Sequence, residues 1–220
     1  MTDTSWHEMV VSRHARVGIV GDPAQATEAW LLLHGHGMLA RGMLHWFRPA
    51  AAPHRLLVAP EALSRFYVQL SGAKRAVGAS WVTREDFDHD RDDVFQYIER
   101  AVREVVPASI PLDIHGFSQG VSVGTRWAIG TSRPVRQIVC WAGAIPDDVT
   151  GAGLRASISH EVLDLVVGDQ DDRVPPERVV ADGQRLRAEG MPTMVHRFAG
   201  GHTVDPGLLA EFAGTAAPAE

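Results

Sequence analysis

The sequence predicts an α/β fold, a mostly parallel central sheet with helices on both faces. Three observations carry that expectation. Short, nearly continuous apolar runs of strand length recur along the chain, and amphipathic stretches of helical period lie between them. No internal repeat and no linker-like change of composition divides the 220 residues. Strands buried on both faces read as unbroken apolar runs, and alternation with helices implies parallel pairing. One domain is expected over 1–220, with residues 214–220 as a flexible tail.

In chain order, "HEMVVSRH" (7–14) and "ARVGIVG" (15–21) predict a β-hairpin. The runs "WLLLHG" (30–35) and "RLLVAP" (55–60) predict buried strands, and "PLDIHG" (111–116), "RQIVCWAG" (136–143), "EVLDLVVG" (161–168) and "TMVHRF" (193–198) are further candidate strands. In "DDVFQYIERAVREVV" the residues Val94, Tyr97, Ile98, Ala101, Val102 and Val105 recur at helical spacing. "QGVSVGTRWAIG" (119–130) is a second helix. "PPERVVADGQRLRAEG" is a third, with prolines suited to its first turn and Gly190 to its end. Residues 61–86 show no clear period and read as a long, functional or mobile loop. The tail "AGTAAPAE" reads as frayed.

Composition excludes several function classes. Hydrophobic residues make up 45% and charged residues 22%, an ordinary globular balance, and the net charge is −6. No run of Lys and Arg is dense enough to track nucleic acid. The one cysteine, Cys140, lies inside an apolar strand and reads as a small core residue, so neither a disulfide nor a cysteine zinc framework is expected. No apolar run approaches the ~18 residues of a membrane span, and the N-terminus has no signal-peptide pattern. The expectation is a cytoplasmic monomer or homodimer without a membrane partner.

Chemistry centres on "GFSQG", which sets Ser118 between Gly116 and Gly120 after a strand and before a helix. A serine hydroxyl is a poor nucleophile until a base takes its proton and a carboxylate orients that base. At a sharp strand–turn–helix elbow the hydroxyl stands clear, and flanking glycines let strand and helix approach. Composition alone yields such a pentapeptide in roughly one chain in ten, so context must decide. Two further strand ends supply it. "EVLDLVVG" is followed by "DQDDRVP", with acids at 169, 171 and 172, and "TMVHRF" is followed by "AGGH", which ends in His202. The order serine, acid, histidine suits an elbow nucleophile, and His202 is the best base in the chain. An oxyanion hole needs two backbone N–H donors. Gln119, after the serine, is one; "LLLHGHGM" offers His36 as the other.

These residues resemble the phospholipase/carboxylesterase branch of the α/β-hydrolases, which includes the acyl-protein thioesterases. "LHGHG", "GFSQG", "GDQDDRVP" and "GGH" match that branch's motifs in order, from about Leu33 to His202. The resemblance implies an α/β-hydrolase fold, with Ser118 as nucleophile, His202 as base and Asp171 as the orienting acid. Spacing alone leaves Asp169 and Asp172 open. "ASW" (79–81) resembles a family segment that puts Trp81 beside the acyl pocket. Two positions depart from the family pattern: His36 where an apolar residue is common, and Met38 where many members have Asp.

No stretch is long enough for a large inserted cap. No cofactor and no metal are expected. His34 and His36 could share a cation with "REDFDHDRDD", but metal sites built on His-x-His normally continue with Asp-His, and here Gly37 and Met38 follow. That acid run reads as the start of a helix. The site's expected borders are "GMLARGMLHWF" (37–47) and the loop around Phe66, Tyr67 and Trp81. They offer Met38, Leu39, Met43, Leu44, Trp46 and Phe47, an apolar set with few fixed charges. The expected substrates are small-molecule carboxylic esters of short to medium acyl or aromatic type. Thioesters or lysophospholipids are the alternative within the branch. A non-catalytic receptor that keeps the pocket for a small ligand is the alternative of another class.

Overall fold

The computed structural model describes residues 4–69 and 74–215. In chain order, β1 is Val17–Val20, β2 Glu28–Leu33, α1 Ala40–Phe47 and β3 Arg55–Pro60. Then come β4 (Ser64–Gln69), β5 (Arg75–Ser80), α2 (Phe87–Val105), β6 (Leu112–Phe117) and α3 (Gln119–Gly130). The chain continues with β7 (Val135–Trp141), α4 (Gly151–Ser157), β8 (Leu163–Gly168), α5 (Pro176–Ala188), β9 (Thr193–Phe198) and α6 (Pro206–Phe212). Seven strands form one sheet in the order β1-β3-β2-β6-β7-β8-β9. All pairings are parallel except β1 with β3. None of the described helices is long and apolar enough to cross a membrane.

Alternation along the strands divides the core. Leu31, Leu33, Val58, Ile114 and Leu165 face one side, where Ile98 and Val102 of α2, Val121 and Trp127 of α3, and Leu186 of α5 cover them. Trp30, Leu32, Leu57, Val139 and Trp141 face the other, under Met43 and Phe47 of α1 and Leu209 of α6. Right-handed crossovers explain the split. From β2 the chain steps to β3 in one direction, and from there it returns past β2 and proceeds the opposite way. Helices of the two directions therefore land on opposite faces. The order reverses between β2 and β6, where a crevice opens at their carboxyl ends.

Four expectations are corrected. Residues 7–14 form no strand, and β1 pairs instead with β3, Val17 opposite Pro60 through Val20 opposite Leu57. Residues 61–86 are not structureless, because β4 and β5 make an antiparallel ribbon. Their period is hidden since both ribbon faces carry apolar residues, Tyr67 and Val77 among the exposed ones. Residues 40–47 form a helix whose Met43 and Phe47 are fully buried in the core, and Leu39 is buried as well, so none of these three borders the site. The stretch "AGTAAPAE", expected to be frayed, is held at its first residue. Ala213 is buried and its carbonyl accepts a bond from Arg55 Nη2 at 3.0 Å, whereas residues 216–220 lie outside the described residues.

His115 of β6 is buried among Trp30, Phe47 and Trp141, and Trp141 Nε1 donates to its Nδ1 at 3.2 Å. Burial, helped by the charges of Arg55 and Arg136, pushes its pKa down to about 3. An unfolded histidine takes up a proton near pH ~6.5. The unfolded state thus binds more protons between those values, and stability is complete above about 6.5 and declines as pH falls below it. The decline should reach about 1.4 kcal/mol per pH unit for one such group. Denaturant midpoints between about pH 7 and about pH 5 should show it, and His115→Gln should flatten the slope.

Candidate active site

Ser118 stands where β6 ends and α3 begins, with φ 53° and ψ −115°. Few non-glycine residues tolerate a positive φ, and such strain persists only where surrounding structure over-determines it. Here the Ser118 N–H donates to Trp141 O at 2.8 Å, and its carbonyl accepts from Val121 N at 3.0 Å. The flanking glycines admit the turn. A Cβ on Gly116 would sit 2.6 Å from Gly120 O, and one on Gly120 would collide with the Leu33 carbonyl of β2. The sequence thus pins the hydroxyl at the crevice between β2 and β6.

His202 and Asp171 arrive from the ends of β9 and β8. Asp169 N donates to Phe198 O at 2.9 Å and Gln170 N to Gly200 O at 2.8 Å, which ties the two loops together. His202 Nδ1 lies 2.8 Å from Asp171 Oδ2 and 3.1 Å from Oδ1. Oδ1 also accepts from the N–H groups of Arg173 and Val174, each at 2.9 Å. The carboxylate is wholly buried, and the imidazole packs on the Phe117 ring at 4.8 Å between centroids. Asp169 instead pairs with Arg197 Nε at 2.7 Å on the surface. Asp172 is exposed. Of the three acids left open by spacing, only Asp171 touches the histidine.

The expected oxyanion donors flank the serine. Gln119 opens α3, where the first N–H groups have no intrahelical acceptor and the helix dipole favours negative charge. In the loop after β2, Gly37 N donates to Ala79 O at 2.8 Å and Met38 N to Gly35 O at 3.2 Å, which leaves the His36 N–H uncommitted among the described residues. One hydroxyl joins the two donors' side chains. Ser80 Oγ lies 3.2 Å from His36 Nδ1 and 3.1 Å from Gln119 Nε2, and donates to Val82 O at 3.1 Å. Gln119 Oε1 accepts from Trp81 N at 3.0 Å.

A cavity of about 410 Å³ opens in front of Ser118 and His202. Met38, Trp46 and Phe117 are its apolar lining, and His36, Asp172 and Arg173 its polar lining. Trp81 is not a wall of it. Its indole is buried, stacks on His34 at 4.9 Å and donates to His34 O at 2.8 Å, so it props the loop from behind. Phe66 packs on the His36 ring at 5.1 Å but does not line the cavity, and neither does Tyr67, which lies on the opposite face of β4 and is largely exposed. Phe117, Ser80 and Arg173 are not singled out by sequence, and Asp172 is there only a candidate orienting acid, not a lining residue. Phe117 and Ser80 adjoin residues that are singled out, and the two loop residues carry no periodic signal. His34 offers no metal lone pair, since Nδ1 is hydrogen-bonded to Gly35 O at 2.8 Å and Nε2 to Ala62 N at 3.0 Å. Burial holds its pKa below the usual histidine value.

Several solved structures share the fold. Esterase PE8 is 22% identical with TM-score 0.65, over 91% of this chain and 96% of that one. The Zea mays acyl-protein thioesterase 2 is 21% identical with TM-score 0.67, over 91% and 97%. YahD, solved with malic acid, is 15% identical with TM-score 0.62, over 91% and 97%. No curated protein matches in sequence. The family model described as Phospholipase/Carboxylesterase matches residues 14–202, which span every site residue described above. With its parallel sheet, its serine elbow and that match over most of its length, the chain belongs to the phospholipase/carboxylesterase family of α/β-hydrolases.

Proposed function

We propose that this hydrolase cleaves carboxylic esters through an acyl-enzyme on Ser118. The observation that carries the reading is the buried Asp171 carboxylate 2.8 Å from Nδ1 of His202, a histidine that shares one cavity with a serine held at positive φ. Asp171 fixes the tautomer in which Nδ1 bears the proton and Nε2 is free to accept one. His202 takes the Ser118 proton as Oγ attacks the carbonyl carbon, and the electron pair moves onto the carbonyl oxygen. The N–H groups of His36 and Gln119 stabilise that oxyanion, by about 3 kcal/mol each at typical strength. Collapse breaks the ester bond, and the imidazolium protonates the departing alcohol. Water, deprotonated by His202, then releases the acid and restores Ser118.

The apolar part of the cavity, Met38, Trp46 and Phe117, suits a short to medium acyl or aromatic group. An apolar pocket discriminates by about 1–3 kcal/mol per methylene, so a broad range of chain lengths is expected. A thioester passes through the same intermediate. Incubation with an organophosphonate should add mass at Ser118 alone, and a series of p-nitrophenyl esters and thioesters from acetyl to dodecanoyl should peak at short to medium acyl esters. Labelling of another residue, or activity abolished by a chelator, overturns the mechanism. A maximum at long chains, or rates confined to thioesters, overturns the substrate class alone. Binding of an ester without turnover points to the receptor reading instead.

A further inference from the structure

The cavity is not the apolar slot that the sequence predicts, because Arg173 and Asp172 both line it. Arg173 is anchored at its root, where its N–H donates to Asp171 Oδ1 at 2.9 Å, so its position is fixed relative to His202. Its side chain is not spent elsewhere. Arginines of the neighbouring surface close on acids, Arg197 on Asp169 at 2.7 Å and Arg178 on Asp182 at 3.0 Å. Among the described residues the Arg173 guanidinium has no such partner, and Asp172 has no cation. A guanidinium presents five N–H donors in a planar fork that matches a carboxylate, and it stays charged at any working pH. Asp172 can only accept hydrogen bonds and repels an anion, so a negatively charged group entering this space has one favourable resting place.

We propose that Arg173 is a specificity residue for the ester hydrolysis described above, on which this inference rests, and that the preferred substrates are esters bearing a carboxylate. The carboxylate pairs with the Arg173 fork while the ester carbonyl lies at Ser118 Oγ. The apolar remainder of the substrate lies against Met38, Trp46 and Phe117.

Two matched pairs of esters test this. One puts the charge on the acyl half, p-nitrophenyl hemiglutarate against p-nitrophenyl valerate. The other puts it on the alcohol half, p-acetoxybenzoate against its methyl ester. The wild-type protein should favour the charged member of at least one pair by about tenfold in kcat/KM, the size of one charge-assisted hydrogen bond. The preference should reside in KM, since the ion pair is present in ground state and transition state alike. Arg173→Gln should lower that ratio about tenfold, Arg173→Lys should retain part of it, and Asp172→Asn should raise it. Added salt should shrink it. The pair that responds identifies which half of the ester faces Arg173. The side chain is exposed and unpartnered, so an unchanged denaturation midpoint should confirm that each variant is folded. If both ratios are the same in wild type and Arg173→Gln, the inference falls while hydrolysis of the neutral esters leaves the proposed reaction standing. If no ester of either pair is turned over, both fall.

Discussion

Ser118→Ala is expected to lower kcat on a short-chain aryl ester by roughly 10⁴- to 10⁶-fold. The hydroxyl is the only protein group in the proposed scheme that forms a bond to carbon, so no other side chain in the cavity can substitute for it. The loss should come without loss of fold. The Ser118 side chain makes no capping bond to α3, and the backbone bonds to Trp141 O and from Val121 N remain available to alanine. Denaturant midpoints of variant and wild type should therefore agree closely, and phosphonate labelling should vanish. A variant that keeps more than about a hundredth of the wild-type rate would contradict nucleophilic catalysis at this position.

Asp171→Asn should cost nearly as much, about 10⁴-fold in kcat by analogy with triads in which the carboxylate becomes an amide. The hydrogen bonds give a specific reason. Oδ1 accepts from two main-chain N–H groups, those of Arg173 and Val174, so an asparagine must keep its oxygen there. Its amide NH₂ then replaces Oδ2 and faces His202 Nδ1. Nδ1 is forced to accept, the proton moves to Nε2, and the ring no longer serves as base toward Ser118. Asp169→Asn should leave kcat within about twofold, because Asp169 holds only the surface Arg197, and exposed pairs contribute little. Steady-state kinetics of the two variants side by side decide between the acids. A larger loss at Asp169 would reassign the orienting role.

The sheet was legible because parallel strands buried on both faces must be apolar throughout. "RLLVAP" coincides with β3 residue for residue and is buried throughout, whereas "TMVHRF" coincides with the edge strand β9, none of whose residues is fully buried. The helix α3 was legible for the same kind of reason, since the elbow fixes its start and its apolar residues keep helical spacing. The β4–β5 ribbon was not, because it packs outside the main sheet and has no strictly apolar face. Its small residues, Gly78 and Ala79, are set by close contact with the 37–38 loop rather than by any period. Residues 7–14 carry a short apolar run that suggests a strand, but among the described residues they pair with no strand. Among the candidate site residues, Ser118 and His202 are legible from their order and from the strand ends that carry them, whereas order leaves three acids open and only the family resemblance selects Asp171. Arg173 is not legible, since only the folded loop turns it into the cavity. The resemblance of "ASW" to a family segment puts Trp81 at the pocket wall, but its indole N–H instead donates to the buried His34 carbonyl.

The strip of chain at 37–38 is paired with Ala79 by two main-chain bonds, as though it were a third strand of the ribbon. In the proposed reaction its neighbour His36 would therefore offer its amide from a ladder-bound backbone and not from a free loop. A dipole held in that way is already aligned before charge develops on the substrate, so little reorganisation energy remains to be supplied during the reaction. The arrangement also ties turnover to a hairpin that shares no strand with the main sheet. Substitutions that tilt the ribbon would detune the amide's aim, and kcat would change while the serine, histidine and aspartate kept their own geometry.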